Sequence, residues 1–361
     1  MKSLSCKYAL FASGVLCLLI WQSCKKAESI KPQIADSSQN AIAKNNVSVL
    51  TTSAGDSLFQ RILTPRTSTN PVPIKSAIKI CSDPKGNLYV TCSFTNYVGI
   101  SKVTPQGVVS QFGGPVNTAG IKAAKNGDIY IVGYNNNKYG IGRITPDGVI
   151  HYLTITGQQL KEPTDLALSD DGTIYITDIG LHQVLKVTPQ GVCSALAGSA
   201  TAIGSADGTG QQAHFTNPTS IRLSADGLLW VIDGNENNLT GQTIRKVTLT
   251  GSVSTKYILN YVGTRDDYIR NIAIAKRDKN FNLSPYESIF ILHRSNKITH
   301  WGTNGVETPL NIYSKNANPY EEYSISLFTD VTSICIHENA IYIPESYNYY
   351  NFVVRKITKY K

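Results

Sequence analysis

The chain has 361 residues, of which 16% are charged, with a formal net charge of +9 and seven cysteines. Typical soluble domains contain about 25% charged residues. The basic residues here are dispersed along the chain, which argues against a nucleic-acid partner. A chain of this length buries about three quarters of its unfolded surface, so it does not need disulfides for stability.

Residues 1–23 have the features of a signal peptide. Lys2 and Lys7 precede an apolar stretch, residues 8–21, that is shorter than the roughly 20 residues of a membrane span. The following Ser23-Cys24 resembles the cleavage site of bacterial lipoproteins, and this resemblance implies lipidation of Cys24. Trp21 departs from that pattern, so cleavage by an ordinary signal peptidase stays open.

Residues 24–46 are polar and are expected to form a flexible tether behind the lipidated cysteine. These features predict an exported protein of a Gram-negative bacterium, at the outer membrane or facing the periplasm. Contact with the membrane is expected through the lipid anchor alone.

Residues 47–361 are predicted to form one domain, because a single pattern recurs in them six times. Each copy pairs a glycine turn and a strand-like run, as in DDGTIYIT at Gly172, with a later turn, as in TPQG at Gly191. Glycine accepts the positive φ of tight turns, and β-branched and aromatic residues favour strands. Four strands and their turns fill about 40 residues. The fold class is therefore all-β, a six-bladed β-propeller of four-stranded antiparallel blades.

The last copy lacks a segment for its outermost strand, because the chain stops at Lys361 soon after RKIT. An exposed sheet edge favours unwanted pairing with other chains. Residues 47–52, with Val47, Val49 and Leu50, have the alternating pattern of the missing strand. They are predicted to close the last blade.

The segment from Ala197 to Thr255 resembles NHL repeats, a family of propellers. It has their landmarks in order, namely AG, DG, A.F..P, DG, V.D and IRK.T. The resemblance extends over residues 74 to 361 and is weakest in the fifth copy. It implies the same fold as the repeat pattern.

Alignment of the copies on their hairpin glycine predicts two rings of side chains around the central axis, toward one face of the propeller. The residues that enter the innermost strands form the first ring, Lys79, Gly120, Asp165, Ser220, Asn271 and Ser333. The residues that leave the second strands form the second ring, Cys92, Gly133, Asp178, Asp233, His293 and Glu345.

Four consecutive members of the second ring could bind a metal ion, Asp178, Asp233, His293 and Glu345. Carboxylates and imidazole are ligands for Ca²⁺, Mg²⁺ or Zn²⁺. NHL-type propellers include amidating lyases and lactonases with a metal in the tunnel, but their ligand sets do not match this chain residue by residue. The aspartate of V.D belongs to the repeat, which favours a structural role in which it accepts hydrogen bonds from loop amides. No cofactor is therefore expected, and a divalent metal is the second hypothesis.

Tyrosine-rich and asparagine-rich loops follow the second strands and are predicted to surround the same face. Their tyrosines join Asp165 and Asn271 as candidate ligand-binding residues, namely Tyr97, Tyr134, Tyr139, Tyr347 and Tyr349. Tyrosine offers stacking area and hydrogen bonds at small entropic cost. The alternative is that these residues simply populate exposed turns.

The cysteines beyond the signal peptide and Cys24 are Cys81, Cys92, Cys193 and Cys335. None has the close spacing of a zinc site, and their disulfide state stays open. Those in apolar runs are expected to be small buried hydrophobes.

No nucleophile elbow, HExxH motif or phosphate-binding loop occurs in the chain. The sequence therefore favours a monomeric binding module for a glycan, peptide or protein. The alternative is a metal-dependent lyase or lactonase with its site in the central tunnel. A purely structural scaffold is a third possibility.

Overall fold

The computed structural model describes most of the chain from residue 79 onward and one strand before it. The described residues are 59–63, 79–93, 98–135, 138–234, 241–259, 268–275, 288–295, 297–301, 307–310, 331–338, 340–347 and 351–357. The predicted signal peptide, Cys24, the tether and residues 47–52 lie outside these ranges, so export and lipidation stay predictions. Among the described residues, no helix has the length and apolar character needed to span a bilayer.

The described chain is almost entirely β-strand, arranged in six small sheets. Blade 1 contains β2 (Ile80–Ser82), β3 (Leu88–Ser93), β4 (Val98–Val103) and β5 (Val109–Phe112). Blade 2 contains β6 (Asn117–Ala123), β7 (Ile129–Asn135), β8 (Lys138–Ile144) and β9 (Ile150–Tyr152). Neighbouring strands in these two blades pair antiparallel in chain order.

Blades 3 and 4 each have a fifth, two-residue strand at the outer edge. Blade 3 contains β10 (Thr156–Gly157), β11 (Pro163–Leu168), β12 (Ile174–Asp178), β13 (Gln183–Val187) and β14 (Val192–Gly198). Blade 4 contains β15 (Gly208–Thr209), β16 (Pro218–Leu223), β17 (Leu228–Asp233), β18 (Gln242–Thr248) and β19 (Ser252–Leu259), with a 3₁₀-helix at Gly210–Gln212.

Blades 5 and 6 complete the set. Blade 5 contains β20 (Ile269–Ala275), β21 (Ser288–His293), β22 (Ile298–Trp301) and β23 (Glu307–Pro309). Blade 6 contains β24 (Cys335–His337), β25 (Ala340–Tyr347), β26 (Asn351–Ile357) and β1 (Phe59–Leu63). The innermost strands of successive blades contact each other, and β24 contacts β2, so the six blades close into a ring. The predicted six-bladed propeller is confirmed.

The last blade is closed by an N-terminal strand, as predicted, but by a different segment. Phe59 pairs with Ile357 and Leu63 with Val353, antiparallel to β26. The prediction of residues 47–52 for this strand was wrong, because β1 occupies the outer edge of β26 in that place. Both segments have strand-like patterns, and only tertiary pairing decides between them.

The core consists of six apolar clusters, one in each gap between neighbouring blades. Strand β3 shows how one strand serves two gaps. Leu88 and Val90 pack toward blade 6, whereas Tyr89 packs toward blade 2. Alternate residues of a strand point to opposite faces of its sheet. Each fully buried aliphatic or aromatic side chain contributes about 1.5–3 kcal/mol, so every gap stabilises the ring.

The predicted turn glycines adopt the backbone conformation that the repeat pattern requires. Gly172 has φ +84° in the hairpin between β11 and β12, and Gly191 has φ +86° in the turn before β14. Most L-residues are strained at such values. These two glycines therefore set the hairpins that define blade 3.

Of the cysteines in apolar runs, Cys81 is buried as expected, whereas Cys335 is only partly buried. Cys81, Cys193 and Cys335 are free thiols, and the first two lie in the apolar clusters on either side of blade 2. Burial raises the pKa of Cys193 to about 11. The side chain of Cys92 lies outside the described part of the structure.

Candidate functional site

The innermost strands of blades 2 to 5 share a local irregularity near their first residues. Their pairing with the second strand shifts by one residue between Thr118 and Gly120, Pro163 and Asp165, Pro218 and Ser220, and Ile269 and Asn271. Such a bulge leaves one residue unpaired and redirects its side chain. The extra residues are Ala119, Thr164, Thr219 and Arg270.

Three of these extra residues line a cavity of about 660 Å³, which we call the channel-mouth cavity. It lies where the innermost strands of blades 1 to 4 begin and the second strand of blade 2 ends. Its lining residues are Lys79, Asn117, Ala119, Gly133, Tyr134, Tyr139, Glu162, Pro163, Thr164 and Thr219. The predicted convergence of inner-strand starts and second-strand ends on one face is therefore present in blade 2.

The two tyrosines of the cavity stand side by side. The ring centroids of Tyr134 and Tyr139 are 5.0 Å apart, and the planes meet at 66°, an edge-to-face arrangement. Tyr134 is 42% exposed. The adjacent Gly133 is required here, because a Cβ at this position would lie 1.8 Å from the carbonyl oxygen of Asn117.

Several polar groups of the cavity make no hydrogen bond among the described residues. They are the side chains of Asn117 and Thr219 and the ammonium of Lys79, which has one ion-pair partner there, Asp165 at 3.9 Å. Thr164 differs, because its hydroxyl contacts the hydroxyl of Thr177 at 2.9 Å and the Pro218 carbonyl at 2.8 Å. The cavity thus combines aromatic surface with polar groups that are available to a ligand.

Four members of the first predicted ring come together around Asp165, and one of them, Lys79, lines this cavity. The Asp165 carboxylate accepts a hydrogen bond from Arg222 Nη1 at 2.7 Å and another from Ser220 Oγ at 3.0 Å. Arg222 Nη2 donates to Asn271 Oδ1 at 2.7 Å. Burial acts to raise the pKa of Asp165, but the charges of Arg222 and Lys79 outweigh it and lower that pKa below its usual value.

Asp178 stabilises loop backbone rather than pointing at an open site. Its carboxylate accepts backbone N–H bonds from Lys161 at 2.9 Å, Glu162 at 3.0 Å and Leu181 at 3.1 Å. These bonds fix the loop that leads into the innermost strand of blade 3.

Asp233 does the same one blade later. It accepts backbone N–H bonds from Thr216 at 2.9 Å and Asn217 at 2.8 Å, and it lies 3.4 Å from Arg245 Nη1. Asp178 and Asp233 therefore both accept hydrogen bonds from loop amides, which is the structural role that their place in the repeat favours.

His293 points into its own blade. Its Nε2 lies 2.8 Å from Thr299 Oγ1 and 2.9 Å from Glu307 Oε1, on the outermost strand. Tyr257 donates a short hydrogen bond to the other oxygen of Glu307. Burial acts to raise the pKa of Glu307, but hydrogen bonds from His293, Thr299 and Tyr257 outweigh it and lower that pKa to about 2.

Glu307→Gln is expected to reduce the acid sensitivity of folding. The lowered pKa of Glu307 stabilises the fold above the ordinary glutamate pKa, and this stability is lost as the pH falls toward 2. Between pH 5.5 and pH 3, the wild type should therefore lose about 1–2 kcal/mol more unfolding free energy than the variant. Urea denaturation at both pH values measures this difference. Exposed Glu338→Gln is the control, and an equal loss in Glu307→Gln and the wild type would contradict the assignment.

The predicted metal ligands do not fit a shared ion in the part of the chain that the structure describes. Asp178, Asp233 and His293 are occupied by the contacts above, and no group of three or more His, Cys, Asp or Glu side chains there is arranged to bind a metal. The structure does not describe the side chains of Glu345 and Tyr347, nor any part of Tyr97 and Tyr349. Their predicted roles stay predictions.

A second cavity, of about 710 Å³, lies at the hairpin turns of blades 2 to 4, which connect the first and second strands. Its polar side chains largely bind one another. Lys125 Nζ lies 2.5 Å from Asp170 Oδ2, and Ser169 Oγ donates to Asp171 Oδ1 at 2.5 Å. The channel-mouth cavity is the better candidate site, because its polar groups are not so committed.

The bulge residues are the part of the site that the sequence prediction missed. Ala119, Thr164 and Thr219 precede the predicted ring residues by one position, because strict alternation does not reveal a bulge. The Pro-Thr pairs at Pro163 and Pro218 were an available signal, since the same dipeptide begins two successive copies.

Comparison with known proteins shows the fold only. No family model matches the chain, and no curated protein matches it. Similar solved structures include an auxiliary nutrient binding protein from Bacteroides ovatus, with a TM-score of 0.55 and 14% identity over 79% of this chain and 70% of that one. A gluconolactonase from Xanthomonas campestris has a TM-score of 0.53 and 12% identity, covering 87% of this chain and 96% of that one. A streptogramin B lyase has a TM-score of 0.53 and 15% identity, covering 84% and 98%. These neighbours are β-propeller proteins with binding and enzymatic roles.

Proposed function

We propose that this propeller is a binding module that holds a saccharide in the channel-mouth cavity. The observation that carries the proposal is the Tyr134–Tyr139 pair beside the uncommitted polar groups of Asn117, Thr219 and Lys79. A sugar ring has apolar C–H faces that pack on aromatic rings and hydroxyls that pair with such groups. Protein sites of this kind combine aromatic walls with a few placed polar groups.

The size of the cavity favours a small ligand over a protein surface. Its volume of about 660 Å³ lies within the range of about 300–1,000 Å³ typical of small-molecule sites. A stable protein partner needs a contact of about 800 Å² on each side. We therefore favour a saccharide over the peptide and protein ligands that the sequence also allows.

An enzymatic role has less support on this chain. A metal-dependent lyase or lactonase needs ligands that converge on one ion, and Asp178, Asp233 and His293 are instead committed to loop amides and to Glu307. The gluconolactonase and lyase neighbours share the fold at low identity, and a propeller fold alone does not fix a reaction. The nutrient-binding neighbour is compatible with a binding role. Export and a lipid anchor at Cys24 remain part of the proposal.

The experiment that tests the proposal is a glycan array probed with the full-length chain in detergent, followed by titration of the best ligand. Tyr134→Ala/Tyr139→Ala is expected to weaken binding about tenfold or more, because each stacking contact on an aromatic ring contributes about 0.5–1.5 kcal/mol and about 1.4 kcal/mol corresponds to tenfold.

Tyr130→Ala is the matched control, since Tyr130 lies in the same blade but lines the second cavity, at the hairpin turns. Its affinity should equal that of the wild type. Unchanged affinity of the double variant, or no saccharide bound at all, would refute the proposal.

A further inference from the structure

Lys79 is placed as a ligand-facing cation. It lies at the start of the innermost strand of blade 1, lines the channel-mouth cavity and has a side chain only 17% exposed. Its ammonium is 3.9 Å from Asp165 Oδ2, which is within range of an ion pair but too far for a hydrogen bond. The three N–H donors of Lys79 make no hydrogen bond to any residue that the structure describes, so they are available toward the cavity.

Asp165 is already neutralised by another cation. Arg222 Nη1 donates to it at 2.7 Å, and further hydrogen bonds come from Ser220 Oγ at 3.0 Å and from the backbone N–H groups of Leu166 at 2.9 Å and Ile221 at 3.4 Å. The single negative charge of Asp165 compensates one positive charge, and the closer cation, Arg222, is the one it compensates. The positive charge of Lys79 is therefore only weakly compensated where Lys79 lines the cavity.

The other groups near Lys79 do not supply the missing negative charge. Among the described residues, Glu162 is the single acidic residue that lines the cavity, and it is exposed to water, which screens its charge. Asn271 offers a further unpaired donor in the same ring, because its Nδ2 is buried without a partner among the described residues. Burial lowers the pKa of Lys79, and Asp165 opposes this only in part.

An anion in the cavity would remove this imbalance. A largely buried ammonium is destabilising when its carboxylate partner, here Asp165, is already shared with Arg222. A charge-assisted hydrogen bond to a ligand anion is stronger than a neutral one.

We propose that the saccharide bound in the channel-mouth cavity is anionic and places its carboxylate or sulfate group on Lys79. This inference rests on the proposed function and adds the chemical class of the ligand. A uronic acid residue and a sulfated sugar both supply such a group.

Calorimetric titration of the full-length chain in detergent tests the inference with matched ligands. Uronate oligosaccharides are compared with their methyl esters, and sulfated oligosaccharides with their desulfated forms. Removal of the charge should weaken binding to the wild type by roughly 10- to 100-fold, the range expected of a hydrogen bond to a charged group. If the uronate and its methyl ester differ in affinity, the anion is a carboxylate. If the sulfated and desulfated forms differ, it is a sulfate. Equal affinity for charged and neutral forms would overturn the inference while leaving saccharide binding intact.

Lys79→Met and Lys85→Met are the matched variants. Lys79→Met should bind charged and neutral forms alike, whereas exposed Lys85→Met should keep the preference of the wild type. A preference that persists in Lys79→Met would overturn the assignment of Lys79. If no saccharide of either kind binds the wild type, the proposed function fails together with the inference.

The melting temperature separates a ligand-binding role from a structural one. If Lys79 serves the ligand, Lys79→Met removes an uncompensated buried charge and should melt at the same temperature as the wild type or higher. A lower melting temperature with an intact preference for the anion would show that Lys79 serves Asp165 instead.

Discussion

Arg245→Met is expected to lower the free energy of unfolding by about 3–5 kcal/mol, the usual cost of breaking a buried ion pair. Arg245 is fully buried in blade 4, with Nη2 2.8 Å from Asp207 Oδ1 and Nη1 3.4 Å from Asp233 Oδ2. It also donates to the carbonyls of Ala206 and His214. Its loss leaves Asp233 buried without a cation and those carbonyls unpaired.

Guanidinium denaturation measures this loss, with Arg143→Met as the matched control. Arg143 occupies the same strand of blade 2, but its side chain is 42% exposed and lies 3.7 Å from Asp128. Exposed ion pairs contribute about 0–1 kcal/mol, so the control should remain close to the wild type. Equal destabilisation of the two variants would contradict the structural role of Arg245.

The same contacts give a physical meaning to the landmarks that resemble NHL repeats. The DG, V.D and IRK.T motifs of the fourth copy supply Asp207, Asp233 and Arg245, and the A.F..P motif supplies Phe215, whose ring lies 5.2 Å from the Arg245 guanidinium. The landmarks of the fourth copy therefore form one hydrogen-bonded network around the buried Arg245. In blade 4 they stabilise the fold, so their resemblance carries no information about a ligand.

Replacement of Phe59–Leu63 by a Gly/Ser segment of equal length is expected to lower the melting temperature by roughly 5–10 °C. The five-residue strand β1 pairs with β26 along its whole length and closes the ring. Gly and Ser are poor strand formers, so the replacement leaves β26 as an open edge. A loss of several kcal/mol shifts the melting temperature of a domain of this size by that amount.

The same replacement at residues 47–52 is the control, and it should leave the melting curve unchanged. Calorimetry of the two variants beside the wild type makes the comparison. If the replacement at residues 47–52 is the more destabilising of the two, the assignment of β1 to the last blade is incorrect.

The architecture was predictable because it depends on local chemistry repeated six times. Turn glycines such as Gly172 and Gly191 determine the hairpins, and strands such as β12 have the β-branched and aromatic residues that fit a sheet buried on both faces. The closing strand was not predictable, because VSVL at residues 47–50 and FQRIL at residues 59–63 both suit a strand. Long-range pairing with β26 selects one of them, and no local pattern encodes that pairing.

The candidate site was predictable only in part. Asp165 and Asn271 do meet through Arg222, and Tyr134 and Tyr139 do line one cavity. Arg222 itself was missed, since it lies two residues beyond the ring position and reaches back to Asp165. Thr219 was missed because it is the extra residue of a bulge, one position before the predicted ring residue Ser220. Asp178 and His293 were placed at strand ends correctly, but contacts that no spacing rule reveals turn their side chains toward loop amides and Glu307.

Binding of a saccharide in the channel-mouth cavity is tested most directly by a crystal structure of the full-length chain with the best array ligand. We expect a sugar ring within about 4 Å of the Tyr134 ring, with polar contacts to Thr219 and an anionic group at Lys79. A ligand bound at the hairpin-turn cavity beside Lys125 and Asp170, with the channel mouth empty, would contradict it.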